Sequence, residues 1–243
     1  MKKPSGYIVY RGPSLLDGKP IVVVAITKES KNSKTGNMVQ TYILVDNGIS
    51  PVENYKSFAD ESICGECKHR RGKGGACYVN VGQGPTTVIK GIARGIYPYA
   101  PVTASRACDN RAVRLGTYGD PAAVPGYVWA LLLHGSKSHT GYTHQWKSGK
   151  ANHVKDWCMA SADSEQERNE AKEMGWRTFR VRTSDEILMK GEFVCPASEE
   201  GKKRMLCVDC TACFGHKVIK GDPAIIVHGT LKGRFRKFDL ALA

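Results

Sequence analysis

Two groups of cysteines constrain this chain more than any hydrophobic pattern in it. The stretch "MLCVDCTACFGHK" places Cys207, Cys210 and Cys213 two residues apart from one another. Upstream, "VCPAS" sets Cys195 beside Pro196. A C-x2-C-x2-C run with a Cys-Pro element is the ligand pattern of bacterial four-iron clusters. The tight run supplies three thiolates and a distant segment supplies the fourth. Cys195, Cys207, Cys210 and Cys213 are therefore expected to form one [4Fe-4S] site. Zinc is the alternative, with His216 in place of Cys195, since structural zinc accepts Cys/His mixtures. Iron–sulfur is preferred because zinc sites usually use paired C-x2-C knuckles.

The first group lies in "ICGECKHRRGKGGACYVN". Cys64 and Cys67 form a C-x2-C knuckle, Cys77 follows, and Cys108 in "SRACDN" is the expected fourth ligand, with His69 as alternative. The spacing suits zinc or a second cluster equally. The loop between Cys67 and Cys77 carries Lys68, Arg70, Arg71 and Lys73. Held by a metal, it would present positive charge to phosphates; alternatively, the charge offsets the thiolates. Cys158, left over in "DWCMASA", reads as a small buried hydrophobe.

Compartment and charge bear on both groups. The start, "MKKPSGYIVYRGPS", meets Pro and Gly where a signal peptide needs an apolar core, and no apolar run is long enough to cross a bilayer. The expected location is cytoplasmic (host cytoplasm for a phage-encoded chain), where clustered cysteines read as metal ligands. Thirty-six Lys and Arg against 23 Asp and Glu give a net charge of +13. That excess favours a polyanionic partner such as nucleic acid and no membrane. In the tail "LKGRFRKFDLALA", Arg234, Arg236 and Lys237 interleave with Phe235 and Phe238. This mixture suits single-stranded nucleic acid; an amphipathic edge strand with Phe buried is slightly preferred.

Three segments follow from the pattern. Residues 1–60 read as an N-terminal β element, from the Val-, Ile- and Tyr-rich runs "GYIVYRG", "KPIVVVAIT" and "MVQTYILVD". Between the last two, "KESKNSKTGN" reads as a plain hairpin loop in preference to a basic finger of Lys28, Lys31 and Lys34 that touches phosphates. Residues 61–110 form a Cys-rich metal-binding segment with little periodicity. From 111 to 243, strands alternate with helices: "AVRLGTY", "PGYVWALLLHG", "TGYTHQW", "VKDWCMASA", "SEQERNEAKEMG", "WRTFRVR", "EFVCPAS" and "PAIIVHGT". Ser164 and Glu167 form a capping box for the second helix and Gly175 its stop. The expected fold class is α/β: a partial (β/α) barrel-like, mostly parallel sheet, with the N-terminal β element and Cys-rich metal-bound segments attached.

In such a sheet, ligands gather at the carboxyl ends of strands. Asp120 follows a strand there, with helix capping before Pro121 as the competing role. His144 is a candidate proton carrier. Ser161 and Asp163 end "MASAD". In "TFRVR", Arg180 and Arg182 share one face and Phe179 and Val181 the other; inward arginines would bind an anion, outward ones a solvated surface. Asp120, His144 and Arg180 are the catalytic candidates. Arg70, Arg71, Lys73, Arg182, Arg234, Arg236 and Lys237 are the nucleic-acid or anion candidates. No Walker loop, Rossmann glycine fingerprint or Ser-His-Asp order is present.

The segments "SKNSKTGNMVQTYIL", "ICGECKHRRGKGGACYVNVGQGP", "RLGTYGDPAAVP", "TGYTHQW" and "CPASEEGKKRMLCVDCTACFG" resemble a group of Cys-rich proteins carried by bacteriophages and plasmids. The resemblance covers nearly the whole chain and implies a mobile-element setting. A weaker resemblance is to radical S-adenosylmethionine proteins, which combine cluster-binding cysteines with a partial (β/α) barrel; their defining C-x3-C-x2-C is absent. The expected function is a metal-cluster protein that binds or acts on nucleic acid, with a site at the strand ends. The alternatives are a zinc-stabilised nucleic-acid-binding module and a radical S-adenosylmethionine-like enzyme.

Overall fold

In the computed structural model, described for residues 3–29, 35–202, 205–217 and 221–237, the strands form two five-stranded sheets. The first has the order β1 (Gly6–Pro13), β2 (Pro20–Ile26), β3 (Val39–Val45), β4 (Ala112–Tyr118), β5 (Ser138–Thr140). Its first two pairings are antiparallel; β3–β4 and β4–β5 are parallel. The second has the order β6 (Tyr142–Thr143), β7 (Met159–Ala162), β8 (Thr178–Arg182), β10 (Asp222–Ile226), β9 (Glu192–Val194). All its pairings are parallel. The result is a mixed α/β fold rich in parallel pairing, with no closed barrel among the described residues. The N-terminal strands share a sheet with β4 and β5, so residues 1–60 and the segment from 111 are joined by backbone hydrogen bonds.

The β2 sequence explains its place. Val22, Val23, Val24 and Ala25 are completely buried, as a continuous apolar run of β-branched residues requires when both faces are covered. Among the described residues the helices are α1 (Pro51–Lys56), α2 (Glu61–Cys64), α3 (Gly84–Ala93), α4 (Pro101–Cys108), α5 (Gly126–Leu133), α6 (Glu165–Glu173) and α7 (Cys207–Cys210). Helices α1 and α3 lie against β3, α4 against β1 and α5, and α6 against β7 and β8. No described helix is long and apolar enough to cross a membrane.

Segment 61–110 is more helical than expected. Its helices α3 and α4 begin at "GP" and "P", and β-branched residues in "GPTTVIKGIA" mask the helical period; Pro near the first turn is favourable there. The tail also differs from an edge strand: residues 232–237 form 3-10 turns, while Phe235 is buried as expected. Helix α6 conforms. Ser164 Oγ accepts from the Glu167 amide at 3.1 Å, and Glu167 Oε2 accepts from the Asp163 amide at 2.8 Å. Gly175, at φ +73°, ends it.

Strands β5 and β6 are separated by Gly141 alone, so one short stretch of chain hands one sheet to the other. A Cβ at Gly141 would stand 2.6 Å from Cys158 Sγ and 3.1 Å from the Trp157 carbonyl oxygen. Cys158 itself is 1% exposed in the core, the small buried residue that its strand implied. Overpacking of this kind costs about 1–3 kcal/mol. Gly141→Val is expected to lower denaturant stability by that order, and Cys158→Ala to recover part of the loss in the double variant.

Candidate metal centre

One cavity of about 420 Å³ gathers residues from the carboxyl ends of β4, β5, β6 and β7 and from one face of β8 and β10. Both cysteine groups line it. Cys64, Cys67 and Cys77 come from the first, and Cys195, Cys207, Cys210 and Cys213 from the second. All seven are free thiols.

The first group is held by a buried arginine. Arg70, 2% exposed, donates to Asp60 Oδ1 at 2.7 and 3.1 Å, to the Phe58 carbonyl at 2.8 Å and to the Gly65 carbonyl at 3.0 Å. Arg71 Nη2 donates to the Val79 carbonyl at 2.7 Å. These bonds tie the Cys67–Cys77 loop to the chain on either side of it, at Phe58, Asp60, Gly65 and Val79. From beyond β6, Gln145 Nε2 donates to the Cys64 carbonyl at 3.0 Å and Oε1 accepts from the Glu66 amide at 3.3 Å. Between them Gly65, at φ +52°, makes the turn; a Cβ there would lie 2.4 Å from Gln145 Oε1. Burial, then the neighbouring Cys67 thiol, raises the Cys64 thiol well above its usual range, and burial also raises Cys77.

The second group closes from three segments. Cys195 directly follows β9, its amide donating to the Ala224 carbonyl at 2.8 Å. Cys207 and Cys210 bracket α7, and Thr211, at φ +56°, turns the chain towards Cys213. Burial pushes the Cys213 thiol up to about 12, with Cys195, Cys207 and Cys210 as its charge neighbours. Tyr142 on β6 hydrogen-bonds Cys213. Thiols desolvated among other thiols ionise only against a cation, and metal coordination deprotonates them outright. By chemistry each group is a set of metal donors, but among the described residues no three of these sulfurs lie within 4.8 Å of one another.

Arg114 on β4 lies beside the second group. Its Nη2 donates to Tyr78 Oη at 2.6 Å and its guanidinium stands 5.4 Å from the Tyr142 ring centroid. Burial works against its charge, but Tyr78, Tyr142 and Cys207 hold it protonated. No Asp or Glu of the described residues is within ion-pair distance of it. Nothing in the strand "AVRLGTY" singled out Arg114; its importance comes from the chain positions that meet it.

A third constellation adjoins the first group. His69, His144 and Asp163 each offer a ligand atom within 4.8 Å of the others. His69 Nε2 is 2.9 Å and His144 Nε2 3.6 Å from Asp163 Oδ2. Burial would raise Asp163, but the two imidazoles outweigh it and hold the carboxyl far below its usual range. Burial opposes a charged His144, yet Cys67 and Asp163 raise it well above the ordinary imidazole value. The Phe235 ring stacks on His69 at 5.3 Å between centroids. His144 is thus a cavity residue, as its strand position suggested. Asp163 is placed by the capping box of α6.

Other expected site residues lie elsewhere. Cys108 does not line the cavity. It is the last residue of α4, buried among core residues where that helix packs on α5 and β1, with Arg111 and Asp109 as charge neighbours. Asp120 lines the cavity, but its carboxylate is engaged: it accepts from the Ala122 amide at 2.9 Å and the His144 amide at 2.8 Å. It caps the turn after β4 and anchors His144. On β8 it is Phe179 and Val181 that face the cavity. Arg180 and Arg182 point the other way and are buried, 1% and 4% exposed, under residues 183–200. Arg180 pairs with Glu192 at 2.7 Å and Glu186 at 3.3 Å, and Arg182 with Glu200. The carboxylates of that covering segment remove both arginines from catalytic or phosphate-binding roles. Arg70 and Arg71 are likewise engaged, by partners in the segments that flank their loop. Lys73 and Arg234 are exposed; the side chains of Arg236 and Lys237, like residues 30–34 and Phe238, lie outside the described part.

Comparison with protein-family models, curated proteins and solved structures found no match for this chain.

Two expectations follow. Arg70→Ala strands Asp60 without its partner in the interior, which costs about 3–5 kcal/mol; denaturant melting of the metal-loaded protein checks this. For Glu192, burial alone would raise the carboxyl, and the Arg180 hydrogen bonds hold it below its usual range. Its contribution is then complete above the unfolded value of about 4.3 and is lost as pH falls through the lower folded value. Glu192→Gln is expected to destabilise by about 1.5–3 kcal/mol at neutral pH, with the gap to wild type closing below about pH 4.

Proposed function

We propose that this protein is an iron–sulfur enzyme in which two metal clusters face one substrate cavity. The observation that carries the reading is the shared cavity: seven thiols from two distant chain segments line the same space at the strand ends. A purely structural metal staple has no need to open onto a pocket. The finer architecture we infer is an incomplete (β/α) barrel, its two sheets continued through Gly141 and its mouth holding the thiols.

Cys195, Cys207, Cys210 and Cys213 would hold a [4Fe-4S] cluster with all four corners thiolate-bound. Cys64, Cys67 and Cys77 would hold a second, leaving one metal corner without a protein thiol. Four thiolates on one zinc would stand ~3.8 Å apart. Among the described residues it is the His69–His144–Asp163 group that is drawn together within 4.8 Å. The looser convergence of the thiols suits clusters, where each sulfur binds its own iron. Bound clusters supply one-electron transfer and, at an open corner, a Lewis acid.

The chain's own residues do the rest. Arg114 offers donors to an anionic or carbonyl-bearing substrate group. Tyr142 donates to the Cys213 sulfur, a contact that tunes cluster potential. Phe179, Val181 and Phe235 keep the cavity apolar and exclude water. The radical S-adenosylmethionine-like reading is one form of this proposal, supported by the three-thiol group and weakened by its unmatched spacing.

A second reading, nucleic acid as partner, is supported by the net charge of +13 and by exposed Lys73 and Arg234. The cavity reading does not require it. Salt-dependent RNA or DNA binding measures it, and no binding at low salt removes it.

Anaerobically purified protein is expected to be brown, with about four irons and four acid-labile sulfides per cluster. Cys210→Ser should remove one cluster's share and Cys64→Ser the other's. A colourless protein with stoichiometric zinc overturns the reading.

A further inference from the structure

We infer that His69, His144 and Asp163 form a mononuclear site for a divalent first-row transition metal, separate from the two thiol groups. Two imidazoles and one carboxylate with open positions are a recognised donor set for Fe(II), and imidazole with carboxylate also suits Mn(II). The three side chains come from three places: His69 from the Cys67–Cys77 loop, His144 from just past β6, and Asp163 from just past β7. All three line the cavity, so open positions on the metal face the space where a substrate sits.

The polar bookkeeping of the site points to a cation. Both Asp163 carboxylate oxygens and His144 Nε2 are buried and make no hydrogen bond of proper geometry. His69 Nε2 and His144 Nε2 stand at ion-pair distance from Oδ2, 2.9 and 3.6 Å. Buried polar atoms are rarely left so. A metal between them uses the lone pairs that hydrogen bonding does not.

The setting is pre-organised. Glu167 Oε2 accepts from the Asp163 amide, Asp120 Oδ2 accepts from the His144 amide at 2.8 Å, and the Phe235 ring stacks on His69. Such supporting contacts fix ligand orientation. Among the described residues Lys68 Nζ is the competing cation, 3.7 Å from Asp163 Oδ2, but it is nearer to Glu167, at 3.3 Å. Its side chain, 24% exposed, is able to pair with Glu167 alone when a metal enters. His144 also hydrogen-bonds Cys67, which makes a ligand role in the first cluster the rival assignment.

The test is Mn(II) binding to anaerobically purified, cluster-loaded protein, followed by the loss of the free-ion electron paramagnetic resonance signal, with iron and sulfide counted in parallel. Wild type is expected to bind one Mn(II) per chain. Asp163→Asn and, as a second variant, His69→Gln should each weaken binding at least tenfold while leaving iron, sulfide and circular dichroism unchanged. No stoichiometric binding by wild type, or undiminished binding by both variants, overturns the site. Loss of iron and sulfide in His144→Gln with Mn(II) binding intact assigns that histidine to the cluster and overturns it too. A protein without iron that still binds Mn(II) in this pattern defeats the cluster reading and leaves the site standing.

Discussion

Gathering seven sulfurs around one cavity is the constraint on which the rest of this structure depends. The thiols arrive from segments more than a hundred residues apart, and each is set by ordinary local devices. Arg70 knots the first loop against Asp60. Gln145 clamps the Cys64–Cys67 turn. A four-residue helix and a left-handed Thr211 aim the second group. The parallel strands supply the floor, because their carboxyl ends converge where side chains of successive strands face one another. Gly141 lets the two sheets share that floor, with no side chain to separate it from Cys158.

Much of the positive charge turns inward. Arg70, Arg71, Arg177, Arg180 and Arg182 are bound by carboxylates or carbonyls of the chain. A net charge of +13 therefore overstates what the surface offers to a polyanion. Buried arginine–carboxylate pairs are costly to assemble and costly to break. Here they hold irregular, cysteine-bearing loops in addition to the hydrophobic contacts those loops make. Arg114 differs from the others: among the described residues its hydrogen-bond partner is a tyrosine, Tyr78, and it lines the cavity.

Most strands, with α5 and α6, were legible in the sequence, since period-two runs and capping residues are local signals; "TGYTHQW" and "VKDWCMASA" read as longer strands than β6 and β7 are. His144 was legible too, through its position at a strand end. Cys108 was misplaced because spacing along the chain does not say which way a helix turns a thiol. Arg180 and Arg182 were misjudged because alternation pairs residues on a face without saying which face is covered; that was decided by Glu186, Glu192 and Glu200 in a later segment. Helices α3 and α4 were hidden by prolines and β-branched residues that read as loop or strand. The meeting of His69 with Asp163, and of Arg114 with Cys207, had no local signal at all, because each joins residues that only the tertiary fold brings together.

The central claim, two clusters facing a single cavity, is tested most directly by electron paramagnetic resonance of the dithionite-reduced, anaerobically purified protein. Two iron–sulfur signals broadened by their mutual magnetic interaction are expected, the broadening vanishing when either Cys64 or Cys210 is replaced by Ser. Two independent signals unaffected by each other's removal, or a reduced protein with no cluster signal and stoichiometric zinc, would contradict it.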